Sequence, residues 1–117
     1  MKREKCPCCK YPTLEVRGDY EICPLCDWED DLQDDPHAEE VWGGPNGNYS
    51  LEEARRNFEA HLTMYREKWE SLDTAIAEKQ RALMAAYKSL DGDSKVTWKK
   101  VAPLEQELWS LKHSRSR

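Results

Sequence analysis

Two Cys-x-x-Cys pairs, Cys6-Pro7-Cys8-Cys9 and Cys23-Pro24-Leu25-Cys26, stand thirteen residues apart near the start of the chain. Each pair can present two thiolates from one tight turn. Two such turns brought together make a tetrahedral four-sulfur site, which suits zinc at about 2.3 Å from each sulfur. Proline after the first cysteine of each pair fixes φ and starts the turn, and it removes one amide so that the others are left to face sulfur. The predicted ligands are Cys6, Cys9, Cys23 and Cys26, around one structural zinc per chain. A closed set of four thiolates has no position open for water or substrate. Metal binding in such modules contributes about 10–16 kcal/mol at neutral pH, enough to decide folding. Iron also accepts four cysteines and is the alternative metal. A dithiol redox centre would need only one of the pairs. Cys8 is left over: either it packs in or beside the first turn, or it exchanges with Cys6 or Cys9 as a ligand or redox sensor.

A metal would help a chain of this composition. At 117 residues it is one domain, or one domain with a helical extension, and only 38% of it is hydrophobic against 35% charged. The net charge of −5 argues against nucleic acid or an anionic membrane as partner for the chain as a whole. No apolar run approaches the roughly eighteen residues that would span a bilayer. Met1-Lys2-Arg3-Glu4-Lys5 leads straight into cysteines and not into an apolar stretch, so the expectation is a cytoplasmic protein with no signal peptide. In that compartment clustered cysteines are metal ligands more often than disulfides.

Between the cysteine pairs, Thr13-Leu14-Glu15-Val16-Arg17 and Tyr20-Glu21-Ile22-Cys23 alternate polar and apolar around a Gly18-Asp19 turn, which predicts a β-hairpin clamped by the metal. Ser50-Leu51-Glu52-Glu53 then reads as a helix-opening capping box. Leu51, Ala54, Phe58, Leu62, Tyr65, Trp69, Leu72, Ile76, Leu83, Tyr87 and Leu90 recur at threes and fours. They give either one helix over about 51–90, which the lack of Gly or Pro favours, or two with a break at Ser71–Asp73. Asp91-Gly92 supplies a stop. Val101, Leu104, Leu108 and Leu111 mark a shorter helix folding back antiparallel, with Pro103 best tolerated in its first turn. The expected fold is small α+β: an N-terminal zinc-ribbon β-hairpin, a long helix and a shorter antiparallel C-terminal helix. Residues 1–49 form the ribbon with its acidic and Gly-rich loop, and 50–117 a helical hairpin packed as one unit with it.

From Asp27 to Glu40 there are eight carboxylates and no Lys or Arg. Three readings are open. The segment is a solvated loop, or a docking surface for a basic partner using Asp30, Asp31, Asp34, Asp35, Glu39 and Glu40 with Trp28 and Trp42 as anchors, or a calcium loop, whose spacing it does not fit. His37 could join a second metal site with Asp34 or Asp35, though a lone loop histidine is usually only that. Trp42-Gly43-Gly44-Pro45-Asn46-Gly47-Asn48 lacks the Lys-Ser/Thr ending of a phosphate loop and reads as a turn delivering the chain to Ser50, with Trp28 and Trp42 in the core.

Cys6-Pro7-Cys8-Cys9, the run Gly18-Asp19-Tyr20-Glu21-Ile22-Cys23-Pro24-Leu25-Cys26, Trp28-Glu29-Asp30-Asp31, Gln33-Asp34-Asp35-Pro36 and Trp42-Gly43-Gly44-Pro45-Asn46-Gly47, in that order, resemble the bacterial cysteine-rich CPCC domain family over residues 6 to about 60. The family commonly has glycine after its first knuckle, where this chain has Lys10. The resemblance implies a small zinc-binding protein with no assigned catalysis, some members being associated with bacterial toxin and immunity loci.

No catalytic constellation stands out. His61 sits beside Phe58 and Leu62 on a helix, His113 lies near the end, and no spacing converges two carboxylates. Nucleic-acid binding is the alternative function, because residues 1–17 carry Lys2, Arg3, Lys5, Lys10 and Arg17 against Glu4 and Glu15. The acidic segment that follows would repel phosphates. The reading from sequence is a non-catalytic zinc-binding interaction module, an immunity-type inhibitor that blocks a cognate toxin with a basic face. A homodimer through the long helix is a further possibility, since a short helix leaves part of a long stripe uncovered.

Overall fold

The computed structural model describes residues 3–66, 74–89 and 95–114. Its helices are α1 (Leu51–His61), α2 (Thr74–Lys88) and α3 (Lys95–Ser114), with short 3-10 turns at Asp35–His37 and Gly44–Asn46. The chain divides into two compact units, one built on Arg3–Lys68 and one on Trp69–Arg117.

The expected α+β fold is not what forms: among the described residues there is no strand, and the architecture is helix and coil. Antiparallel pairing is reduced to three isolated bridges, Glu4 with Leu14, Ile22 with Glu29 and Val41 with Ser50. The alternation of residues 13–23 is real, but its two halves do not pair with each other. Leu14 pairs back across the first cysteine turn and Ile22 pairs forward across the second. The amides of Glu15 and Val16, which a hairpin ladder would use, both donate to the Glu21 carboxylate at 2.9 Å. A side chain has taken the partners a second strand would have offered.

The long helix is also corrected. α1 opens where expected, with Ser50 Oγ accepting the Glu53 N–H at 3.0 Å, while the Glu53 carboxylate of the expected capping box pairs with Arg66. It ends after eleven residues, when Leu62 turns left-handed at φ 69° with its N–H on Phe58 O. Leu62 continues the apolar spacing, so propensity alone would carry the helix on. Tertiary bonds decide instead. The Met64 N–H reaches Cys26 O at 2.8 Å, Thr63 Oγ1 donates to Asp27 Oδ2 at 2.8 Å, and Asn57 Nδ2 donates to Met64 O at 2.8 Å. Arg66 then ties the segment down, paired with Glu53 and lying 4.1 Å over the Tyr49 ring. The alternative break at Ser71–Asp73 and the Asp91-Gly92 stop lie outside the described residues.

The first unit buries Leu14, Leu25, Trp28, Leu51, Ala54, Phe58 and Met64 around the cysteines. In the second, α2 packs on α3, and Ile76, Leu83 and Tyr87 of the one and Trp98, Val101 and Leu108 of the other are buried. Lys79, early in α2, pairs with Glu107, late in α3. The expected shorter last helix is the longest, at twenty residues, and Pro103 sits in its interior and not in its first turn. Pro103 is exposed, so the carbonyl left without a donor one turn back is open to water.

Candidate metal centre

The two cysteine turns are copies of one backbone frame. In the first, Cys6 N–H donates to Tyr11 O at 2.9 Å and Lys10 N–H to Cys6 O at 2.8 Å. In the second, Cys23 N–H donates to Trp28 O at 2.9 Å and Asp27 N–H to Cys23 O at 3.0 Å. The offsets from the first cysteine are the same in both. Each frame is closed by a residue in the left-handed region, Lys10 at φ 70° and Asp27 at φ 77°. A left-handed position of this kind favours glycine, and Lys10 holds the conformation at a cost.

The frames bring together the four predicted ligands. The Sγ atoms of Cys6, Cys9, Cys23 and Cys26 all lie within 4.8 Å of one another, and all four residues are buried. Cys6 and Cys26 sulfurs are 3.6 Å apart, and those of Cys9 and Cys23 are 3.7 Å apart. No disulfide joins them. A tetrahedron of sulfurs each about 2.3 Å from a central ion has edges of about 3.8 Å, so the spacing is that of a four-thiolate metal site. Around Cys23 the outer partners are in place: Thr13 Oγ1 donates to its sulfur at 3.1 Å, and the Leu25 and Cys26 amides approach at 3.4 and 3.5 Å. Such donors orient a thiolate and disperse its charge.

The electrostatics of four buried, clustered thiols favour a cation among them. Hydrogen bonding with Cys23, then Cys26, pushes the Cys6 thiol far above its ordinary range, and Cys9 is raised in the same way. Burial and then Cys23 raise Cys26. Burial opposes charge on Cys23 too, but bonds from Cys26, Cys6, Cys9 and Thr13 outweigh it and hold that thiol well below the normal value. One thiolate is thus stabilised by three neighbouring thiols, and a second so close would meet like charge. A dication among them reverses that sign for all four. The donor set fits zinc. Cys8 is also buried, 4% exposed, outside the four and near enough to Cys26 to help raise it.

The acidic segment is largely paired within the unit. Asp30 is fully buried: its carboxylate accepts from Arg17 Nε at 2.9 Å, the Gly18 amide at 2.7 Å and the Leu32 amide at 3.1 Å. Asp31 accepts the Gln33 amide at 3.1 Å. Asp34 meets Arg17 Nη1 at 2.7 Å, and Asp35 meets Arg55 at 2.6 Å and Lys10 at 3.3 Å. Arg17 holds the Asp34 carboxyl below its usual range, and Arg55, then Lys10, do the same for Asp35. Glu40 is lowered by His37, at 3.0 Å, and by the Trp42 indole N–H at 2.9 Å. Glu39 is exposed and has no ion-pair partner among the described residues. Asp35, Glu39, Glu40, Glu52 and Arg55 line a shallow cleft of about 480 Å³. Trp28 is in the core as expected, while Trp42 is 43% exposed.

Two residues that sequence reasoning passed over organise these loops. Asn46, in the Gly-rich turn, accepts the Glu29 amide at 3.1 Å and donates to Glu29 O at 2.7 Å, imitating a strand partner. The buried Gln33 donates to His37 O and Glu40 O at 2.8 and 2.6 Å. An Asn beside glycines and a Gln among acids look like loop residues, and neither carries a signal of its role.

No helix among the described residues is long and apolar enough to cross a membrane. No curated protein and no solved structure matches the chain. A protein-family model described as Cysteine-rich CPCC matches residues 4–79, well over half the chain. That span takes in both cysteine frames, the acidic segment whose carboxylates tie the loops together, and α1, whose Arg55 Nε donates to Pro7 O in the first frame at 2.8 Å. With its four-sulfur cluster and this match, the chain belongs to the cysteine-rich CPCC family.

Proposed function

We propose that this protein is a non-catalytic, zinc-binding interaction module that acts in the cytoplasm of a bacterium as an immunity-type inhibitor, occluding a cognate toxin. The observation that carries the non-catalytic part is the closure of the centre. Four buried sulfurs fill a tetrahedron, and zinc held there would be structural, with no ligand position for substrate. The inhibitor role is supported by the family's association with toxin and immunity loci. A nucleic-acid role is weakened by the ion pairs: Lys10 and Arg17, two of the cations that favoured it, face Asp35, Asp30 and Asp34.

The test is a pull-down of tagged, zinc-loaded protein from nuclease-treated extract of the source cells. One stoichiometric protein partner that survives high salt, and whose activity the purified chain inhibits, supports the reading. Recovery of nucleic acid alone when nuclease is omitted overturns it.

A further inference from the structure

Among the described residues of the first unit, Val16, Tyr20, Ile22, Leu32 and Val41 are large apolar side chains between 53% and 62% exposed. Contacts between their loops draw the first four together. The Glu21 carboxylate holds the Val16 amide at 2.9 Å, which sets Val16 beside the segment that carries Tyr20 and Ile22. Leu32 lies against Gly18, so close that a Cβ on Gly18 would stand 2.5 Å from Leu32 Cγ. Two of the four also occupy backbone positions that bulky side chains disfavour, Tyr20 at φ 58° and Leu32 at φ 75°. Folding alone gives no reason for a large apolar residue at a left-handed, solvent-facing position, where Gly or Asn would be less costly.

The rim decides what such a face would meet. Glu15 and Asp19 are exposed beside it, and Asp31 is half-buried next to Leu32. Between Lys10 and Arg55 the sequence has a single Lys or Arg, Arg17, and that side chain is engaged with Asp30 and Asp34. The surface is therefore apolar at its centre and predominantly anionic at its edge, with Arg3 and Lys5 flanking the Glu4–Leu14 bridge at the Glu15 end. Nucleic acid and acidic membranes are repelled by that edge, and of the four side chains only Tyr20 offers a ring on which a base could stack. We infer that the Val16–Tyr20–Ile22–Leu32 face is the docking surface of this module, and that its occupant is a protein segment combining aliphatic side chains with lysine or arginine. This rests on the protein-binding reading above and replaces the paired acidic loop as the place where it happens.

The probe is a synthetic peptide alternating leucine and lysine, titrated into the isotope-labelled, zinc-loaded full chain and followed by amide chemical shifts. Saturable shifts centred on residues 16, 20, 22 and 32 are expected. Ile22→Glu, at a site open enough to keep the fold, should weaken binding about tenfold, as loss of one central anchor does. Glu39→Lys should leave it within about twofold, as a peripheral charge does. Exchanging the peptide's lysines for serine, or raising the salt to about 0.5 M, should weaken binding severalfold, because the rim attraction is screened. Shifts centred on residues 34–40, equal binding of the serine peptide, unchanged affinity of Ile22→Glu, or no saturable binding would each overturn the assignment. The peptide reads this surface whether or not a toxin exists, so it and the pull-down fail separately.

Discussion

Replacing Asp30 by alanine tests the claim that the acidic run hides a structural carboxylate. Asp30 is fully buried and accepts three hydrogen bonds, from Arg17 Nε, the Gly18 amide and the Leu32 amide. Alanine orphans the two amides at about 1–3 kcal/mol each. Arg17 keeps Asp34 and is partly solvated, so its loss is screened to about 1 kcal/mol or less. The expected cost is about 3–5 kcal/mol, a large share of the stability of a unit this size. With a urea m-value near 1 kcal/mol/M, the midpoint should fall by about 3 M or the unit should not fold at all. The assay is equilibrium urea unfolding with zinc held saturating, followed by tryptophan fluorescence. Asp30→Asn keeps one acceptor oxygen and should fall between the two. Asp35→Ala, at an exposed ion pair, should leave the midpoint nearly unchanged. A loss under about 1 kcal/mol for Asp30→Ala would refute the structural assignment and return Asp30 to the surface.

Four further outcomes are expected. Chelating the metal should abolish cooperative unfolding of the first unit, and cobalt in its place should give the visible bands of a tetrahedral four-thiolate site; unfolding indifferent to chelator would count against the centre. Lys10→Gly should relieve left-handed strain of about 1 kcal/mol, partly offset by glycine's entropy and the lost Asp35 pair, so urea unfolding should show a small net gain. Pro103→Ala should raise helicity and stabilise the α3 unit by up to about 3 kcal/mol in thermal melts followed by circular dichroism. Arg55→Ala should raise the Asp35 pKa, read by carboxyl-carbon NMR; since that pKa is lowered in the fold, the contribution it removes is present above the usual carboxylate range and fades as pH falls through it.

The metal centre was legible because it is a spacing. Four cysteines in two pairs admit few geometries, and the proline and left-handed residue of each frame follow from the turn itself. The α1 start was legible for the same reason, since Ser50 caps through a contact three residues long. The rest turned on competition between local pattern and distant partners. Periodicity over 51–90 was correctly seen, but periodicity does not say where a helix stops. Leu62 stops it because Cys26 O, thirty-eight residues back, has a better use for the Met64 amide.

The lost hairpin follows a more general logic. In this unit the backbone groups a β-ladder would pair are instead met by single side chains: Glu21 for residues 15 and 16, Asp30 for 18 and 32, Gln33 for 37 and 40, and Asn46 for 29. A ladder tolerates substitution because its bonds are made by every residue alike, whereas a side chain that serves two backbone groups at once fails with that one residue. The same economy bears on the surface. With polar side chains turned inward as backbone partners, the positions of Tyr20 and Ile22 that flank them are left facing solvent. The fold accounts for those positions being outside, but a polar residue would serve there equally well, so the large apolar side chains at 16, 20, 22 and 32 are what the docking role accounts for.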